Sequence, residues 1–279
     1  MFNQLLQFAS EEGPHISLRA EPIFKLGDIA ITNSVLYGLV VALTMLILGI
    51  FAARKAGIKP SGLLTTVFEM AMEFIIGMLV STLGSRKKAI QYAPIFGTFF
   101  IFIVLSNLSG LLPFVGPGVE LNGQPIFRPF TADLNGTIAL SIIAIITVQI
   151  LSIRESGFLG HLKHYFTNQP WNPINLFIGL LEVFGELTRV MSLSLRLFLN
   201  TAVGEILISV FAYVGSYGAS FTLFPIFLFE MLVALIQAYV FTVLASTYLG
   251  LAIAHGDHES DESSSHPTPQ SLTSEGVSG

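Results

Sequence analysis

An arginine, Arg196, lies in the middle of the apolar run VMSLSLRLFLN, residues 190–200. A guanidinium is charged at every accessible pH, and in hydrocarbon it costs about 2.5 to 3.5 kcal/mol on insertion scales. It therefore needs a carboxylate partner or a water-filled cavity. Two explanations are open: an ion pair within the chain, or a carboxylate that another subunit supplies.

The polar residues around Arg196 have helical spacing. Glu182, Arg189 and Arg196 are seven residues apart, which at 3.6 residues per turn places them within about 40° of one another. Ser192 and Asn200 flank the arginine at i−4 and i+4. The pattern predicts one polar stripe on a helix whose remaining surface is apolar.

A second group of polar residues lies away from this stripe. Glu205 falls on the opposite face of the helix and roughly 13 Å further along its axis than Arg196. Glu230 and Gln237, seven residues apart, share one face of the following apolar segment. If VGSYGAS between the segments turns the chain, antiparallel pairing brings Glu230 level with Glu205, and Gln237 close to the level of Arg196. This predicts an acidic layer toward the outer side and an Arg/Gln layer near the middle.

The composition indicates that lipid is the solvent for most of the chain. Hydrophobic residues make up 52% and charged residues only 11%, against roughly 25% charged in soluble proteins. The 279 residues leave room for five or six crossings of about 20 residues. The net charge of −5 comes from the C-terminal region, so nucleic acid is not an expected partner. The absence of cysteine excludes disulfides and thiolate metal sites.

The predicted fold class is an all-α polytopic membrane protein with about five transmembrane helices plus an interfacial helix. The last two helices are longer than a straight crossing requires, so they are expected to form a long tilted C-terminal hairpin. The predicted spans within a membrane domain of residues 34–255 are about 34–53, 90–113, 134–153, 174–213 and 221–254.

Three further segments complete the predicted organisation. Residues 1–33 are expected to form an extracytoplasmic N-terminal segment. Residues 61–83 carry Glu69 and Glu73 on one helical face, which is more typical of an interfacial or bundle-packed helix than of a lipid-facing span. Residues 256–279 are polar and acidic and are expected to form a disordered cytoplasmic tail.

The distribution of basic residues predicts the orientation. With five crossings, most lysines and arginines fall in the loops on one side, so the N-terminus is expected outside and the C-terminus in the cytoplasm. His161 and His164 lie in one of these basic loops, where solvated histidines are expected rather than a metal site. No phosphate-binding loop occurs.

Several stretches resemble subunit a of the F-type ATP synthase. The resemblance is carried by SLSLRLFLNTAVGE and ALIQAYVFTVLASTYL, which contain the Arg/Asn/Glu spacing and the later Gln. SNLSGLLPF, PFTADLNGT and ITNSVLYG resemble earlier membrane segments of that family. The similarity extends from about residue 30 to residue 255 and leaves out the N-terminal segment and the tail.

The resemblance implies two offset aqueous half-channels and an essential arginine that faces the carboxylates of a rotor ring. Glu205 and Glu230 would line the outer half-channel, and Gln237 would support Arg196. Asn200 would line the route near the arginine. The residues assigned to proton translocation are Arg196, Glu205, Glu230, Gln237, Asn200, Glu182, Ser192 and Arg189. Of these, Glu182 with Ser192 would line the inner exit, whereas Arg189 would either line the inner vestibule or extend to the membrane surface.

The resemblance also implies partners and a location. The partners would be the rotor c-ring subunits, peripheral-stalk subunit b and the lipid bilayer, while ATP chemistry would occur elsewhere, so neither catalysis nor a cofactor is expected here. A bacterial plasma membrane is expected, with a mitochondrial inner or thylakoid membrane as alternatives. The coupling ion, H⁺ or Na⁺, is set by the rotor and stays open. An ion-coupled secondary transporter is the alternative function, although the chain lacks the internal repeats common in that class.

Overall fold

Six long helices make up most of the described part of the protein in a computed structural model. The described residues are 22–26, 29–55, 62–112, 115, 120–121, 124–125, 128–156, 173–215 and 219–264. The helices are α1 (Asn33–Lys55), α2 (Leu63–Leu83), α3 (Arg86–Gly110), α4 (Leu134–Ser156), α5 (Pro173–Gly215) and α6 (Ala219–Ser264). Each contains a window long and apolar enough to cross a membrane. The predicted fold class, an all-α polytopic membrane protein, is confirmed.

The strands among the described residues are short. They form two antiparallel hairpins, which lie between the long helices or before α1. The first pairs β1 (Pro22–Leu26) with β2 (Ile29–Thr32), and the second pairs β3 (Glu120–Leu121) with β4 (Gln124–Pro125). Each strand is at most five residues long. Such short strands leave too weak a pattern in the sequence to be predicted.

The helix boundaries differ from the predicted ones by a few residues at most ends. Helix α3 begins at Arg86 rather than 90, because the basic residues 86–88 join its first turn, and it ends at Gly110 rather than 113. Helix α6 continues to Ser264, so residues 256–264 belong to a helix rather than to the predicted disordered tail. Residues 265–279 and the histidines 161 and 164 lie outside the described residues.

Helix α2, predicted as interfacial or bundle-packed, forms a tight hairpin with α3. Gly84 closes it in the left-handed region at φ 67°, a conformation open to glycine at low cost, and its N–H donates to the carbonyl of Val80 at 3.0 Å. Ile75 and Leu79 are fully buried in the bundle. Glu69 and Glu73 are exposed on the other side, a placement that suits the membrane surface or a partner better than lipid tails.

Two apolar clusters hold the bundle together. One joins α2, α3, α4 and α6 around Phe96 and Leu249. The other joins α3, α4, α5 and α6 around Leu197 and Phe241. Helix α1 packs at the edge, against α2, α3 and the segment before α4, with only 22% of its span window buried against 50% for α4. Helices α5 and α6 are therefore fixed against the centre of the bundle, and both carry the predicted functional residues.

Candidate functional site

Arg196 lies on the outer surface of this bundle. Its side chain is exposed, whereas Leu193 and Leu197 on the adjacent face of α5 are buried in a cluster shared with α6. Within the described part of the chain, no hydrogen bond or ion pair reaches its guanidinium. Its neighbours Leu195 and Leu199 are exposed apolar residues. A charged group in an apolar setting thus faces away from its own chain, which disfavours an intrachain ion pair.

Glu230 of α6 packs directly against the backbone of α5. It is only 8% exposed, and a Cβ built on Gly204 would stand 2.7 Å from its carboxyl carbon. A side chain at position 204 would overlap the carboxylate, so Glu230 would have to shift to make room for it. Glu230 therefore lies at the level of residues 204–205.

Glu205 faces Arg128, an arginine in the segment before α4. Arg128 precedes the short 3-10 helix Phe130–Ala132, and its Nη2 lies 4.0 Å from Oε2 of Glu205. Arg128 is 2% exposed, and its Nη2 also donates to the carbonyl of Ala132 at 3.2 Å. Periodicity did not reveal this residue because it lies outside the helices.

Gln237 lies on α6, next to a residue that packs in the same apolar cluster as the part of α5 around Arg196. Its neighbour Ala238 belongs to the same buried cluster as Leu197 of α5. Gln237 is 7% exposed, and its amide nitrogen has no hydrogen-bond acceptor among the described residues. Asn200 is half-buried and Ser192 is exposed. The amide of Gln237 is therefore buried, whereas the guanidinium of Arg196 is exposed.

The polar residues toward the start of α5 form a separate group. Arg189 donates to the carboxylate of Glu186, and its guanidinium lies 5.0 Å from the ring centroid of Tyr248 on α6. Glu182 is half-buried one turn before Glu186. Arg189 therefore has contacts on its own helix and on α6.

Asp133 joins α1 to the start of α4. Its carboxylate accepts a hydrogen bond from the hydroxyl of Ser34 on α1 at 2.6 Å and from the backbone N–H of Asn135 at 3.1 Å. The second contact is an N-cap of helix α4. Asp133 therefore caps the start of α4 and ties it to α1.

Several buried polar atoms inside the described part of the bundle have no hydrogen-bond partner in the protein. Among the described residues they belong to Ser106, Asn107, Arg128, Thr131, Ser141 and Gln237. An unsatisfied buried polar atom costs about 1 to 3 kcal/mol, and bound water commonly satisfies such atoms. The atoms lie on α3, α4, α6 and the segment before α4, so the interior contains several positions at which water would be stabilised. The described residues include no cluster of potential metal ligands.

Comparisons with known proteins agree on one family. A family model described as ATP synthase A chain matches residues 35–250. ATP synthase subunit a of Moorella thermoacetica is 36% identical over 233 residues, which cover 83% of this chain and 95% of the relative. The protein of that name from Gloeobacter violaceus is 34% identical over 260 residues, covering 92% and 96%. That of Geobacter sp. strain M21 is 32% identical over 228 residues, covering 80% and 88%.

Proposed function

The chain belongs to the ATP synthase subunit a family, and from this premise we propose that it is the proton-conducting stator subunit of an F-type ATP synthase. The family resemblance noted from the sequence is confirmed. The chain is a multi-pass membrane protein of the ATP-synthesis and proton-transport machinery. Its finer role, in which two half-channels and Arg196 couple proton flow to rotation, is our proposal.

The position of Arg196 is the observation that carries the proposal. A guanidinium exposed among apolar side chains within a span-length helix needs a carboxylate from outside this chain. A rotor ring with one carboxylate per subunit at mid-membrane depth would supply it. The arginine would attract each carboxylate as it loses its proton and would keep it charged during passage.

The remaining residues would form the two routes to this position. Glu205 and Glu230 would line the outer route, with Asn200 leading toward Arg196 and Gln237 supporting it from behind. The inner exit would be lined by Glu182, Ser192 and Arg189. Glu205 and Glu182 lie about 13 Å and about 21 Å from Arg196 along α5, in opposite directions. A proton would therefore have to travel on the rotor between the routes, with Arg196 blocking a direct leak.

The proposal extends to partners and location. The rotor c-ring would contact the face that contains Arg196, and peripheral-stalk subunit b would join the complex in the same membrane. We place the chain in a bacterial plasma membrane with its N-terminus outside and its C-terminus in the cytoplasm. As a channel subunit it would catalyse no reaction itself. An ion-coupled secondary transporter remains the alternative, and transport by the purified chain without a ring would favour it.

Arg196→Ala tests the proposal in membranes that contain the whole complex. We expect proton-driven ATP synthesis to be abolished, because nothing would then separate the half-channels or hold the rotor carboxylate charged. ATP hydrolysis by the headpiece should persist. Arg54→Ala changes an exposed arginine in the last turn of α1 and should leave synthesis unchanged. Normal synthesis in the Arg196 variant would contradict the proposed function.

A further inference from the structure

Arg128 is the most deeply buried charged residue among those described, and the function proposed above gives it no role. It is 2% exposed and lies outside the helices, just before Pro129 and the 3-10 helix Phe130–Ala132. A buried guanidinium is tolerated only where a carboxylate and hydrogen-bond acceptors offset the loss of water. Its contacts therefore identify the carboxylate with which it interacts.

The contacts of Arg128 lead to Glu205. Its Nη2 donates to the carbonyl of Ala132 at 3.2 Å and lies 4.0 Å from Oε2 of Glu205. The second distance is too long for a direct hydrogen bond, but the attraction between the charges is strong in a medium of low dielectric constant. Nε of Arg128 is buried without a partner in the described residues, a position that suits a bound water molecule.

The segment that contains Arg128 is held rigidly. Asp133 accepts a hydrogen bond from Ser34 of α1 at 2.6 Å. One turn further on, the hydroxyls of Thr137 and Ser194 lie 3.2 Å apart and link α4 to α5. These hydrogen bonds hold the guanidinium in place next to α5. A residue that positions another group must itself be held in place.

We infer that Arg128 is a positioning residue for proton uptake: its buried guanidinium fixes the carboxylate of Glu205 in the outer route. The inference rests on the proposed function, because it assigns Glu205 to the outer route. The other described acid at this level is Glu230, beside Gly204. Arg128 lies in the segment before α4. It therefore controls entry to the outer route from outside the two helices, α5 and α6, that form the route.

The test measures the initial rate of potential-driven proton uptake as a function of pH. It uses membrane vesicles that contain the assembled membrane sector with the headpiece removed. For Arg128→Gln we expect uptake to fall about tenfold. We expect its pH profile to move toward higher pH, because without the guanidinium the carboxyl group is more readily protonated. Arg86→Gln, at the exposed start of α3, is the matched control and should leave both rate and profile unchanged.

A double variant separates positioning from a general loss of structure. If Arg128 acts through Glu205, the Arg128→Gln, Glu205→Gln double variant should lie within about twofold of Glu205→Gln alone. The inference would be overturned if the double variant lost the product of the two single-variant losses in rate. It would also be overturned if Arg128→Gln had an unchanged rate and pH profile. Should Arg128→Gln fail to assemble, Arg128→Lys retains the charge but loses the planar fork. Its uptake rate should fall while its pH profile stays close to that of the wild type, and an unchanged uptake rate would overturn the inference.

The failure of this inference differs from that of the proposed function. If Arg196→Ala abolishes synthesis while Arg128→Gln behaves like the wild type, only the role of Arg128 is wrong. If Arg196→Ala retains normal synthesis, the proposed function itself is wrong.

Discussion

The contact between Gly204 and Glu230 is the tightest of the residue-scale features. The carboxylate occupies the space that a side chain at position 204 would need, so a larger residue there would force it to shift. A buried acid held against a bare backbone has few alternative positions. Its location relative to Glu205 is thereby set by the packing of α5 against α6.

Gly204→Ala should displace this carboxylate and lower ATP synthesis in the assembled complex. A misplacement of about 1 Å at a reacting group costs up to roughly a hundredfold in rate, so a loss of about tenfold or more is expected. Gly185→Ala on the same helix meets no atom within 4 Å and gives the same gain in helix propensity. Equal activity of the two variants would show that the Glu230 position does not depend on this contact.

Sequence reasoning located residues on periodic helices and missed those outside them. The spacing of Glu205 and Glu230 led to the expectation that they share a level, and the structure brings Glu230 to Gly204, next to Glu205. Arg128 was missed because a buried loop residue follows no repeat, and its partner lies 77 positions away in the sequence. The functional roles of all these residues remain proposals.

At the scale of the elements, the start of α3 is joined to the end of α4 by a polar group of three residues. The hydroxyl of Tyr92 donates to the carboxylate of Glu155, and Nζ of Lys88 lies 3.3 Å from the other carboxylate oxygen. Tyr92 is buried. These contacts hold together two helix ends whose connection runs through the length of both helices.

Tyr92→Phe should loosen these helix ends without disturbing the apolar core. A hydrogen bond of this kind contributes about 1 kcal/mol, which corresponds to roughly fivefold faster local opening. Hydrogen–deuterium exchange in the assembled complex would measure it at the first turns of α3 and the last turn of α4. Tyr239→Phe, an exposed tyrosine on α6, should leave exchange there unchanged. Identical exchange in both variants would contradict the stabilising role.

Helix boundaries were predictable where charges or glycines mark them, and less so elsewhere. Arg54 and Lys55 end α1, and Gly84 ends α2 in the left-handed conformation. By contrast, the polar stretch after residue 255 predicts a disordered tail, yet α6 continues through it to Ser264. An uninterrupted helix can extend into a polar sequence because each added residue contributes a hydrogen bond to an existing helix.

At the scale of the whole molecule, the described helices expose many large apolar side chains, and Arg196 lies among them. Leu199, which is 52% exposed, lies beside the arginine, and Ile143 on α4 is 55% exposed. Lipid would suit both residues equally. The proposed function distinguishes them, because the rotor would cover only the face of α5 that contains Arg196.

Cross-linking tests which face meets the rotor. The chain contains no cysteine, so single cysteines are introduced without a competing thiol. Leu199→Cys is expected to form a disulfide with a cysteine placed near the rotor carboxylate, whereas Ile143→Cys is expected not to. Equal yields from the two positions would show that the face of Arg196 is not the rotor interface.

The exposed guanidinium of Arg196 also has a consequence for the biogenesis of the protein. A newly inserted copy would have this charge on its surface before any partner covers it, at a cost of about 2.5 to 3.5 kcal/mol. That cost is a large fraction of the stability of a typical folded domain. Unassembled copies should therefore be the short-lived ones, and membrane proteases would remove them faster than copies already incorporated into a complex.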